Sequence, residues 1–180
     1  MSASLPARVD AERMVAGRRS FEGVLPVAEL PRLAEALADD RGQIAYKLDF
    51  LRGELGGPQL RVHLSAGLTL ECQRTLEPFE WPAVVDTRLG LLASEAGAAA
   101  LPPDCEPLLL EQGALSPRRV IEDELLLALP LVPVKPGSEA LQGDWVTPGH
   151  EPQDAERGEP AAHPFAELRA LMEARDKKHR

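Results

Sequence analysis

Residues 60–91 read LRVHLSAGLTLECQRTLEPFEWPAVVDTRLGL, and the phase of this stretch decides the fold. From Leu60 the even positions are Leu60, Val62, Leu64, Ala66, Leu68, Leu70 and Cys72. The odd positions are Arg61, His63, Ser65, Gly67, Thr69, Glu71 and Gln73. Successive side chains of a strand point to opposite faces, so this alternation predicts a long strand over 60–73, apolar on one face and bent near Gly67. After Arg74-Thr75-Leu76-Glu77-Pro78 the alternation resumes at Phe79, Trp81, Ala83, Val85, Thr87, Leu89 and Leu91. Two long strands joined by a short proline-containing loop predict an antiparallel hairpin of 60–73 with 79–92. The joint raises a chemical question. Cys72 stands where a Cys-x-x-Cys clip would begin, but Thr75 holds the second position. Its phase puts Cys72 on the core face, where a free cysteine packs as a small apolar residue.

Working outward, SFEGVLPVAEL (20–30) reads as a short strand or extended segment, and Pro31 suits the first turn of a helix over 32–39. After Gly42, Ile44, Tyr46, Leu48 and Phe50 alternate with Ala45, Lys47, Asp49 and Leu51, a further strand. Gly56-Gly57-Pro58 marks the turn before the hairpin. On the other side, 93–104 is loop-like and 105–113 holds a short strand. Ser116 is placed to cap, and Pro117 to start, a helix reaching residue 129. Residues 125–129 are apolar all round, which predicts burial on several sides. LPLVPV (129–134) continues as extended chain.

The whole predicts an α+β fold. An antiparallel sheet with a long central hairpin and two or three packing helices occupies a single domain, 13–134. Residues 1–12 are expected to be a flexible leader. Residues 135–162, rich in Pro, Gly and acid, are expected to be a flexible linker in which Trp145 alone is poised to dock. Residues 163–180 are expected to form an amphipathic helix with Phe165, Leu168, Leu171 and Met172 on one face and a basic end at Lys177, Lys178 and Arg180.

At 180 residues and 44% hydrophobic, the chain can bury one core. No apolar run is long enough to span a bilayer, the first residues lack the apolar stretch of a secretory signal, and there are only two cysteines. The expectation is a cytoplasmic protein with reduced thiols. The formal net charge is −9, which repels a polyanion on average, so RNA contact has to come from local basic islands. One is Arg13, Arg18 and Arg19; the other is the basic C-terminus. Phosphate-binding glycine loops, nucleophile elbows and His-Glu-x-x-His pairs are missing. The histidines (63, 150, 163, 179) are scattered, and Cys72 and Cys105 form no pair of clips, so neither metal nor cofactor is expected. The acidic triplet Glu122-Asp123-Glu124 invites a catalytic or magnesium reading. Consecutive helical residues diverge by about 100°, so a solvated helix face is the expectation and an enzyme is not.

The segments RRSFEGVLP, LTLECQRTLEPFEWP, VIEDELLLALPLVPV and HPFAELRALMEARDKK occur in that order. Together they resemble the bacterial YceD family, the large ribosomal RNA subunit accumulation proteins, from about residue 13 onward. The resemblance implies a role in the synthesis, processing or stability of 23S ribosomal RNA. Many relatives carry Cys-Gln-Arg-Cys in the hairpin loop and a further cysteine after Leu-Pro-x-x-Pro. Here those positions correspond to Thr75 and Ala140, so the clip is gone and packing alone is expected of Cys72.

Two functions compete at this point. In the first, the chain contacts precursor ribosomal RNA directly through Arg18, Arg19, Arg74, Arg118 and Arg119, because guanidinium forks match phosphate oxygens. In the second, it is an adaptor that binds a protein of the maturation machinery through its acidic surface and through Phe165, Leu168, Leu171 and Met172. Neither reading calls for a membrane or a small-molecule substrate.

Overall fold

The computed structural model describes residues 5–53 and 56–138. In chain order the elements are β1 (Val9–Asp10), α1 (Ala11–Ala16), β2 (Ser20–Pro26), α2 (Pro31–Ala36), β3 (Gln43–Arg52), β4 (Pro58–Glu71), β5 (Pro78–Leu92), β6 (Glu106–Leu109), β7 (Ala114–Leu115) and α3 (Pro117–Ala128). Short 3-10 turns lie at Val27–Glu29 and Glu95–Ala100.

The hairpin forms as its alternation demands. β4 and β5 pair antiparallel from Gln59↔Gly90 to Glu71↔Pro78, and β3 and β2 extend the sheet on the β4 side. Rows of inward side chains cross the strands, among them Phe50–Leu60–Leu89 and Tyr46–Leu64–Val85. Leu48, Leu60, Val62, Leu64 and Leu68 are wholly buried. Such side chains contribute about 2 kcal/mol each when removed from water. α1 packs on β3 and β4, α3 on β4 and β5, and α2 on α3, all against this inward face.

The sheet is not purely antiparallel. Its order is β2-β3-β4-β5-β6, and β6 pairs parallel with β5. The connection between them crosses the outward face at Gly90, where a Cβ would fall 2.4 Å from the Leu101 side chain. Glycine at that position makes the crossing possible.

The expected leader gives way from Leu5 onward. β1 pairs with β7, and Leu5, Val9, Ala11 and Val15 belong to the core. The Asp10 carboxylate caps α1 by accepting the Arg13 N–H at 2.8 Å. The helix expected over 32–39 stops at Ala36. Leu37 is extended, and the Ala38 N–H instead reaches the Thr69 carbonyl of β4 at 2.8 Å. In α3, Pro117 takes the first position as expected, but the Ser116 hydroxyl makes no cap bond. The end of α3 is not buried all round either. Leu125 is sealed against the sheet while Leu127 is 75% exposed, because α3 forms the outer layer and only one of its sides meets the sheet.

After α3 the chain returns to the hairpin tip, where the Gln73 N–H donates to the Pro133 carbonyl at 2.9 Å. The linker from 139 to 162, Trp145 and the amphipathic segment 163–180 lie outside the described residues.

Candidate functional site

The acidic triplet is not a solvated face. The Glu122 side chain is buried, and its carboxylate closes the N-terminus of α2. Oε1 accepts the backbone N–H of Arg32 at 2.7 Å and that of Leu33 at 3.3 Å, while Oε2 accepts Nε and Nη2 of Arg32 at 2.9 and 2.7 Å. Leu30, at the cap position of α2, has no side-chain acceptor to offer, so Glu122, 90 positions beyond Arg32, supplies it. Burial pushes the Glu122 carboxyl up, but the bonds from Arg32 and Leu33 outweigh it and hold the group below its ordinary value. Asp123 binds the same guanidinium at 2.7 Å. Glu124 goes the other way: burial, then the neighbouring charges of Glu106 and Asp123, raise it to about 7. The triplet thus holds α2 against α3 and carries one carboxyl that titrates near neutrality.

Cys72 is buried as its phase required, yet packing is only part of its environment. Its Sγ accepts the Lys135 N–H at 3.3 Å and lies 4.0 Å from the Ser138 hydroxyl. The Lys135 N–H, then the Thr75 hydroxyl and the N–H groups of Thr75 and Arg74, overcome burial and lower the thiol to about 6. The Lys135 ammonium bridges to Glu77 at 2.8 Å across the same joint. Cys72 is therefore an acceptor that ties the hairpin loop to residues 133–138, a role the alternation did not reveal. Its one signal in sequence was the loop Cys-Gln-Arg-Thr itself. Among the described residues no group of three or more His, Cys, Asp or Glu side chains is placed to hold a metal ion, and Ala140 lies outside them.

The five candidate arginines fall into two kinds. Arg118 pairs with Glu29, and Arg119 with Glu111 at 3.2 Å, both in the first turn of α3. Arg18 and Arg19 lie in the turn between α1 and β2, exposed and in no ion pair among the described residues. Arg18 has φ 45°, and the Arg19 carbonyl accepts the Phe50 N–H at 2.9 Å. Arg74, in the hairpin loop, is likewise exposed and unpaired among the described residues. These groups do not converge. Arg19 sits beside the start of β4 and Arg74 beyond its end, about 40 Å apart along the strand at the usual rise per residue. Phe165, Leu168, Leu171 and Met172 lie outside the described residues. Among the described residues no helix is long and apolar enough to cross a membrane.

Geometry first defines a class: an α+β protein built on one mixed sheet, with helices on one face and separate arginine-bearing surfaces at its two ends. Comparison with known sequences then gives the family. The pattern of the family described as Large ribosomal RNA subunit accumulation protein YceD matches residues 60–172. The chain belongs to the YceD family. A relative from Haemophilus influenzae, named Large ribosomal RNA subunit accumulation protein YceD, is 29% identical over 131 residues, covering 72% of this chain and 75% of that relative. No solved structure matches.

Proposed function

We propose that this chain is a non-catalytic factor of ribosome biogenesis that acts in the cytoplasm in the synthesis, processing or stability of 23S ribosomal RNA. Membership of a family named for accumulation of the large subunit carries the reading. Direct contact with precursor RNA is supported by Arg18, Arg19 and Arg74, whose guanidinium groups face solvent without a competing carboxylate among the described residues. The test is complementation of a bacterial strain lacking its own YceD protein, with 23S and 16S RNA measured together. Restoration of 23S RNA by this chain is expected, and failure of a stably folded chain to restore it overturns the reading. A salt titration of binding to ribosomal RNA separates direct contact from an indirect role, because phosphate neutralisation gives a steep slope.

A second reading, an adaptor that recruits or restrains an RNA-modifying or RNA-degrading enzyme, is favoured by the net charge of −9. Leu127, Leu131 and Val132, all largely exposed after the middle of α3, favour it too. In this reading Phe165, Leu168, Leu171 and Met172 are the anchors. Deleting residues 160–180 should then abolish 23S accumulation while 5–138 stays folded. Full activity of the truncated chain removes the adaptor reading.

A further inference from the structure

At the end of the sheet where β3 leaves and β4 begins, a hollow of about 210 Å³ is lined by Leu51, Arg52, Gly53, Gln59, Arg61 and Arg88. Two features of it stand out. Arg61 and Arg88 stand directly opposite each other in register on β4 and β5, with their side chains on the same outward face. Like charges facing one another across a strand pair destabilise it. Gln59 also points outward by phase, yet is only 8% exposed. Its amide lies over Gly53, where a Cβ would fall 2.3 Å from the amide nitrogen. It has no side-chain hydrogen bond among the described residues, and it lines the hollow.

Two aspartates set the arginines in place from outside the hollow. Asp86 holds Arg61 through Nε at 3.1 Å and Nη2 at 2.9 Å, and Asp104 holds Arg88 through Nη1 at 2.6 Å. A guanidinium has five N–H donors, so each arginine keeps donors for another acceptor. Arg52 donates to the Gly56 carbonyl at 3.2 Å and keeps the remainder. Three guanidinium forks and one primary amide, whose nitrogen donates, line a hollow with room for a phosphate group. Asp49, on the same row as Arg61, is engaged by the Ser20 hydroxyl at 2.6 Å and lies outside the lining.

We propose that Arg52, Arg61, Arg88 and Gln59 form a binding site for a phosphate group. Resting on the ribosomal RNA reading above, the group is a backbone phosphodiester of RNA. Forked guanidinium donors recognise phosphate oxygens, and a neutral amide donor adds direction without a further charge. Arg18 and Arg19 lie at the same end of the sheet, where the Arg19 carbonyl bonds to β3, but the Arg19 side chain lies beside Gly17 at the end of α1, so they form a separate surface. The site places RNA across the sheet end and not on the helical layer.

The experiment follows the arginine Nε–H and glutamine side-chain signals of the full chain by NMR, first with inorganic phosphate and then with a single-stranded ribosomal RNA fragment. Arg52, Arg61, Arg88 and Gln59 are expected to shift together on one binding curve with both probes. Gln59→Glu, which places a carboxylate where the anion sits, is expected to weaken both at least tenfold. Arg88→Gln should lower the salt slope of RNA binding by about 1. Melting curves establish that each variant folds, and Arg61→Gln serves if Gln59→Glu does not. Shifts with phosphate alone overturn RNA as the source of the group and keep the site for a free phosphate compound. Silence of all four groups toward both probes overturns the site, while complementation by the chain is read separately and still decides the RNA reading.

Discussion

The Glu122 carboxylate is at once the cap of α2 and the fork partner of Arg32, a residue 90 positions away, and so joins two helices through one side chain. Removing it leaves two backbone N–H groups of α2 without their acceptor and leaves the Arg32 guanidinium with Asp123 alone. Glu122→Ala is expected to destabilise the fold by about 1–2 kcal/mol, the usual cost of losing a helix cap. Arg32→Ala should cost less, because its side chain is 48% exposed and the backbone bonds to Glu122 survive. Because the Glu122 carboxyl is held below its ordinary value of 4.5, this stabilisation is present above that pH and fades as pH falls through the lowered value. Urea titrations of both variants at pH 7 and pH 4 check the order and the loss.

The thiol of Cys72 titrates near 6 in the fold against an ordinary 9.0, so the folded state binds its proton more weakly than the unfolded chain. Stability from this group is fully present above pH 9 and is lost as pH falls toward 6. The melting-temperature gap between wild type and Cys72→Ala should therefore widen between pH 6 and pH 9. A gap independent of pH shows that the sulfur only fills space.

Glu124 has the opposite sign. Its carboxyl is raised to about 7 from 4.5, so its favourable contribution holds below pH 4.5 and is lost as pH rises through 7. Glu124→Gln, a neutral mimic of the protonated form, should melt higher than wild type at pH 8 and nearly the same at pH 5. Equal melting at pH 8 counts against the raised value.

Charge removal sorts the arginines. Arg18→Gln with Arg19→Gln should leave stability within about 0.5 kcal/mol and reduce the salt slope of RNA binding. Arg118→Gln, which deprives Glu29 of its partner, should cost up to about 1 kcal/mol of stability and leave that slope unchanged. Melting and binding of the same preparations distinguish the two kinds.

The sequence by itself determined the three long strands, their faces and the pairing of the last two as a hairpin. A period of two is local: Leu60 to Cys72 and Phe79 to Leu91 declare inside and outside without knowledge of what covers them. It determined the first position of α3 for the same reason, since proline fixes its own backbone angle. The family was legible in the order of four short segments, and the match over 60–172 upholds it. Only the tertiary structure decided which charges are free. Nothing near Arg118 in sequence announces Glu29, and nothing near Glu122 announces an uncapped helix at Pro31. It also decided that residues 5–16 join the core, through the pairing of Val9 with Leu115, and that β6 runs parallel to β5. It alone brought Gln59 and Arg61 of one strand, Arg88 of the next and Arg52 of a third around a single hollow. The physical reason is the same in each case: ion pairs, caps and sites are made between side chains distant in sequence, whereas alternation is written into each strand alone.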